Sequence, residues 1–281
     1  MAQRYEIIIN YQLSIINYFV SLQSNMVFQV IHIDETDSTN RWLRNNPSLF
    51  RNNPSLFDNN GGLLKGDVQD TCLIVVAAYQ TAGKGCGSNS WESERGKNLT
   101  FSMLIHPENI PANEQFRITE ITSVAMCETL KRYGCKEVSI KWPNDIYVGD
   151  KKICGMLIEN RLQGSTIKDS IIGIGLNVNQ REFLSDAPNP VSLHQLLGHE
   201  TDREALLKTF LDAFDNAYNS KTTCSTYKEM LYRKGKHCLY EDKTGRFTAT
   251  LTDVMPDGRL LLVDQERREH IYAFKEVQFI L

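Results

Sequence analysis

The chain has 281 residues, 41% of them hydrophobic and 23% charged, enough apolar material for one sizeable core with a smaller satellite and unlike a disordered polymer. A formal net charge of -3 argues against a nucleic-acid binder. About 25 residues precede the first recognisable pattern, too few for a helix-turn-helix domain, so no DNA partner is expected. The seven cysteines are scattered, odd in number and without CxxC pairs, which points to free thiols and a cytoplasmic setting.

Taken in chain order, Ile7 to Val20 is apolar but interrupted by Asn10, Gln12 and Asn17. Neither a membrane span nor a secretion leader is expected from it. Residues 1–25 therefore read as a loosely held extension ahead of a start at Met26. Phe28 to Ile33 predicts a strand, Asp34 to Asn40 a polar turn, and Arg41 the beginning of a short helix. The heptapeptide RNNPSLF occurs at 44–50 and again at 51–57, a duplication that a surface loop can absorb.

Leu73 to Tyr79 and Leu99 to Ile105 read as buried strands flanking a glycine-rich loop, Gly83 to Gly87. Phe116, Ile121, Val124, Cys127 and Leu130 recur at helical spacing, with Gly134 as the stop. Strands are expected at Glu137 to Lys141, Ile153 to Glu159 and Ser170 to Val178, separated by turns at Pro143-Asn144 and Gly149-Asp150. Thr201 and Glu204 have capping-box spacing, and Leu207, Phe210, Leu211, Phe214 and Tyr218 continue one apolar helical face. From Leu231 the pattern changes to short alternating strands, Phe247 to Val254, Arg259 to Val263 and His270 to Phe274, as in a small β-barrel.

Several segments carry residues suited to chemistry. Gly83, Gly85 and Gly87 free the backbone to approach an anion, although the spacing is not that of a P-loop and a plain hairpin loop would look the same. Pro143 fixes a turn that presents Asn144 and Asp145, and Lys152 follows seven residues later across a short hairpin. An acid and a lysine can then face one ligand, while Lys151 points the other way. An Asx-type turn and a solvated lysine pair are the structural alternatives. Ser38, Thr39 and Asn40 supply small donors and acceptors, or caps for a helix, and the glycines of GIGLN at 173–177 suit close strand packing.

The order and spacing of ETDSTN (35–40), YQTAGKGCGSNSW (79–91), KWPNDIYVGDKKICG (141–155) and GIGLNVN (173–179) resemble those of biotin protein ligases, from Phe28 to the C-terminus. The resemblance implies an α+β catalytic domain like that of class II aminoacyl-tRNA synthetases over residues 26–230. An SH3-like β-barrel would follow over 231–281. It implies an enzyme that uses ATP to convert biotin to biotinyl-5'-AMP and transfers biotin to a lysine of a biotin carboxyl carrier protein. Lys152 and Asp145 would be catalytic, with Asp145 the candidate Mg²⁺ ligand. Ser38, Thr39, Asn40, Gln80, Gly83, Lys84 and Gly155 would lie on the biotin side. Lys84, Cys86, Trp91, Asn144, Lys152 and Asn177 would lie on the nucleotide side.

The sequence departs from that family in the glycine-rich loop, where Lys84, Cys86, Gly87 and Asn89 stand in place of several arginines. Looser retention of the adenylate is the expectation, because each charge-assisted hydrogen bond lost from a water-poor site costs about 1.5 to 3 kcal/mol. A lipoate or octanoate ligase and a non-catalytic biotin sensor are the competing readings. Exposed strand edges would suit a carrier or a homodimer partner.

Overall fold

The computed structural model describes residues 7–10, 13–18, 26–46, 70–87, 89–107, 110–185 and 188–280. The second copy of the heptapeptide and most of the first lie outside these residues, as does most of the N-terminal 25.

One mixed sheet organises residues up to Leu176. Its strands are β1 (Ile7–Asn10), β2 (Leu13–Tyr18), β3 (Met26–Thr36), β4 (Asp70–Gln80), β5 (Leu99–Ile105), β6 (Val138–Lys141), β7 (Asp145–Val148), β8 (Lys151–Gln163) and β9 (Thr166–Leu176). They lie in the order β1-β2-β3-β4-β5-β9-β8-β7-β6. Only β3 and β4 pair in parallel; the other neighbours are antiparallel. A parallel pair needs a crossover, and the short helix α1 (Thr39–Asn45) lies on it.

The apolar runs of β3 and β4 are continuous because both faces of the sheet are covered. Phe28, Val30, Cys72, Ile74 and Val76 face the main core. Ile31, Ile33, Leu73, Val75 and Ala77 face a second cluster closed by Leu43 of α1. On the main-core side lie α2 (Phe116–Arg132) and α4 (Arg203–Asn219), with the Phe101 and Phe210 rings edge to face at 5.5 Å. Each such fully buried side chain contributes about 1.5–3 kcal/mol relative to exposure.

Two shorter helices, α3 (Leu193–Leu197) and α5 (Thr223–Glu229), were not legible from the periodicity, and α3 is too short to show one. The capping box is not at Thr201/Glu204. Asp202 caps α4, its carboxylate accepting from Glu204 N at 2.9 Å and Ala205 N at 3.3 Å. Thr201 is unable to serve because its backbone is held on both sides by the Asn179 amide. A capping box does exist at α3, between Ser192 and Gln195. At the front of α1, the helix begins at Thr39 instead of Arg41, and Ser38 occupies the cap position without a side-chain cap bond.

The C-terminal module is a five-stranded antiparallel sheet of β10 (His237–Asp242), β11 (Gly245–Val254), β12 (Leu260–Asp264), β13 (Glu269–Tyr272) and β14 (Val277–Phe279), in the order β13-β12-β11-β10-β14. It shares the main core with the first sheet and is tied to it by hydrogen bonds as well. Trp142 Nε1 donates to Gly258 O at 2.9 Å. The segment leading into the module adds to the edge of β6, with Ile140 N donating to Met230 O at 2.8 Å and Tyr232 N to Ile140 O at 2.8 Å. Among the described residues no helix is long and apolar enough to cross a membrane.

Candidate active site

A cleft of about 1280 Å³ opens between the ends of the central strands and the C-terminal module. It is lined by every residue that the family resemblance assigns to catalysis or ligand binding except Gly83, which packs against Trp91.

At one end lie Ser38, Thr39 and Asn40, all buried at the start of α1. Thr39 N and Thr39 Oγ1 donate to Gln80 Oε1 at 2.8 and 3.1 Å, which fixes the first turn of α1 to the end of β4. Asn40 Nδ2 donates to Glu159 Oε2 at 2.7 Å. Ser102, fully buried on β5, places its hydroxyl 2.6 Å from both Thr39 Oγ1 and Asn40 Oδ1. A buried polar network this connected holds its members in one geometry. Ser102 and Glu159 were missed in the sequence because each sits in a strand far from the motif it supports.

Toward the centre, the hairpin of β7 and β8 carries the charged pair. Tyr147 pairs with Lys152, so Lys152 and Asp145 fall on the same face of the hairpin. Lys152 Nζ lies 2.7 Å from Asp145 Oδ1, both side chains about a quarter exposed at 28%. A bulge then shifts the register between Ile146 and Tyr147, and the extra residue on β8 brings Gly155 to the face of Lys152. Lys151 is exposed on the outer side. Asn144 Nδ2 donates to Met156 O at 2.6 Å, holding the turn against β8.

Lys141, at the end of β6, also enters the cleft. Burial pushes its ammonium below the usual lysine range, an effect that the Asp145 carboxylate partly offsets. Its Nζ donates to Tyr147 Oη at 3.1 Å.

Trp91 forms the remaining wall. A β-carbon on Gly155 would meet its ring at 3.0 Å, and one on Gly175 would stand 2.5 Å from Nε1. Glycine at these two positions is therefore a requirement of the indole's seat. Lys152 Nζ lies 5.7 Å from the ring centroid, within cation–π range. Trp91 Nε1 and the nearby Asn177 Oδ1 are buried without a protein partner, which leaves polar capacity for a ligand. Asn177 Nδ2 donates to Val191 O at 3.1 Å.

The glycine-rich loop is closed on itself by a bridge between Lys84 and Ser90 and by Gly85 N donating to Asn89 O at 2.8 Å. The Gly85 amide is thus committed within the loop, a narrower role for the backbone than its glycine content suggests. Gly87 alone of the three has a left-handed backbone, φ 72°. Cys86 sits between the charges: burial pushes its thiol up, and Lys275 is the foremost of the charges, which also include Asp145 and Lys152.

Lys275, Phe274 and residues 277–280 of the C-terminal module complete the lining. Their contribution was not legible, since nothing in the local sequence says which face of a small sheet will meet a cleft.

Residues 59–177 match the biotin/lipoate A/B protein ligase family. A bifunctional ligase/repressor BirA of Bacillus spizizenii is 31% identical over 211 residues, covering 71% of this chain and 64% of that protein. The chain therefore spans less than two thirds of this relative's length. The human biotin–protein ligase is 37% identical over 122 residues, 42% of this chain and 17% of that one. Among solved structures, the biotin protein ligase of Aquifex aeolicus in complex with biotin and ATP superposes with a TM-score of 0.66 at 23% identity, covering 89% of this chain and 99% of that chain. That likeness carries the fold.

Proposed function

We propose that the chain is a member of the biotin/lipoate A/B protein ligase family, whose model it matches over residues 59–177, and that it activates biotin with ATP to biotinyl-5'-AMP and transfers the biotinyl group to a lysine of a biotin carboxyl carrier domain. The observation that carries this reading is the Lys152–Asp145 pair, 2.7 Å apart, between a buried polar network and a tryptophan wall. The cleft thereby offers a hydrogen-bonding end for the ureido ring, a cation at its centre and an aromatic surface for a base.

Biotin's carboxylate and the α-phosphate of ATP are both negative, and their repulsion rises as the carboxylate oxygen attacks phosphorus. The ammonium of Lys152 offsets that repulsion where the charge develops, while pyrophosphate leaves. In the second step the carrier's lysine amine attacks the acyl carbon, AMP departs, and Asp145 takes the proton from the amine. Ser38, Thr39, Asn40 and Gln80 orient the ring end; Trp91 and Asn177 take the adenine end.

Mg²⁺ belongs to the same reading. Among the described residues no cluster of three His, Cys, Asp or Glu side chains could hold a metal, so the ion would arrive on the ATP phosphates with Asp145 as its protein anchor. It would neutralise phosphate charge. A cytoplasmic setting suits the seven free thiols.

The test is incorporation of biotin into a carrier domain with and without ATP, with lipoate and octanoate as competing acids and Lys152→Ala as the control. ATP-dependent labelling with biotin alone supports the reading. Labelling that survives Lys152→Ala, or that prefers another acid, removes it.

A further inference from the structure

Lys275 lies on the turn after β13, itself in left-handed backbone at φ 72°. Glu276 N donates to Ala273 O at 3.1 Å and Ala273 N to Glu276 Oε2 at 2.7 Å, so the turn is held from both ends. The exposed side chain spans from the C-terminal module to the glycine-rich loop. There its Nζ and Cε occupy the space where a side chain on Gly87 would begin, Cε only 2.9 Å from a β-carbon built at that position.

The cleft's cations are not equally available to a ligand. Lys152 is engaged by Asp145. Lys141 is buried and tied to Tyr147. The segment from Gly83 to Trp91 has one basic residue of its own, Lys84. Lys275 has the Phe274 ring 6.0 Å away and no carboxylate partner among the described residues. Lys275 lines the cleft together with Cys86, Asp145 and Lys152, and its charge, like theirs, reaches the Cys86 thiol.

We propose that Lys275 is a nucleotide-phosphate-binding residue: the C-terminal module supplies, through the gap left by Gly87, a second cation beside the single one, Lys84, that the glycine-rich loop carries. An anion near Cys86 would then be flanked by Lys275 on one side and Lys152 on the other. The ligand class is the polyphosphate of ATP and, after the first step, the phosphate of the acyl-adenylate. The proposal rests on the ligase reading for the identity of the nucleotide.

Lys275→Gln, Lys275→Arg and the Lys275→Gln/Cys86→Arg double variant test it. The readouts are the KM values for ATP and biotin, the release rate of the enzyme-bound adenylate, and binding of a non-hydrolysable ATP analogue. Lys275→Gln is expected to raise the ATP KM and speed adenylate release about tenfold, the effect of one charge-assisted hydrogen bond, with the biotin KM within about twofold. Lys275→Arg retains most of the wild-type values, and Cys86→Arg restores part of the loss. Equal ATP KM, release rate and analogue affinity in wild type and Lys275→Gln overturn the proposal. If the wild type makes no adenylate, the ligase reading falls, and analogue affinity alone still decides the role of Lys275.

Discussion

The indole of Trp91 lies over the backbone of Gly175, so close that a β-carbon there would stand 2.5 Å from Trp91 Nε1 and 2.8 Å from Cζ2. One methyl group is therefore enough to unseat the cleft's aromatic wall. Gly175→Ala is expected to raise the ATP KM at least about tenfold and to cost about 1–3 kcal/mol of stability from overpacking. Steady-state kinetics together with tryptophan fluorescence would check it; unchanged emission and KM would show that the ring tolerates the shift.

Asp145 and Lys152 are expected to separate by half-reaction. Lys152→Ala should slow adenylate formation about 10²- to 10³-fold, as loss of an electrostatic stabiliser does. Asp145→Asn keeps the shape of the turn and should slow transfer to the carrier about 10²- to 10⁴-fold, the range for a general base. Single-turnover measurement of each step checks both. A normal transfer rate in Asp145→Asn would refute its role there.

Trp142 is 5% exposed and gives its indole N–H to the buried carbonyl of Gly258, 116 positions away. Trp142→Phe leaves that carbonyl without its donor, at a cost of about 1–3 kcal/mol. Urea unfolding is expected to show the loss. If the midpoint is unchanged, this bond between the two parts of the chain contributes nothing to stability.

Asp242 accepts from the Thr244 hydroxyl, the Tyr272 hydroxyl and the Thr244 amide, which hold its carboxyl down at about 2. Its folded pKa lies below that of an ordinary aspartate, so the stabilisation is complete above the unfolded value and fades as pH falls toward the folded one. Asp242→Asn should lower the melting temperature at pH 7, and the gap from wild type should narrow between about pH 4 and pH 2. A gap that stays constant over that range would point to shape in place of charge.

β3 and β4 were readable because they are buried on both faces and leave unbroken apolar runs, whereas β1 and β2 fall in the stretch read as an extension and the four-residue β7 is too short to show a pattern. The motif residues could also be found, since a turn such as Pro143 to Asp145 is specified locally. What remained hidden depends on distant chain. Ser102 looks like any serine in a strand until Thr39 and Asn40 are folded onto it. The cap of α4 falls to Asp202 because Asn179, from another segment, has already taken the Thr201 backbone. Lys275 gains its place only when the C-terminal module docks.

The parallel bridge from Ile140 to Met230 and Tyr232 has a bearing on how the chain can be cut. Outermost strands with bare amides and carbonyls invite other chains to stack on them, and here the connector itself occupies that position. Ending the polypeptide before Met230 would thus do more than delete the second module: it would uncover a sticky border, and the shortened protein should self-associate more strongly than the 281-residue chain.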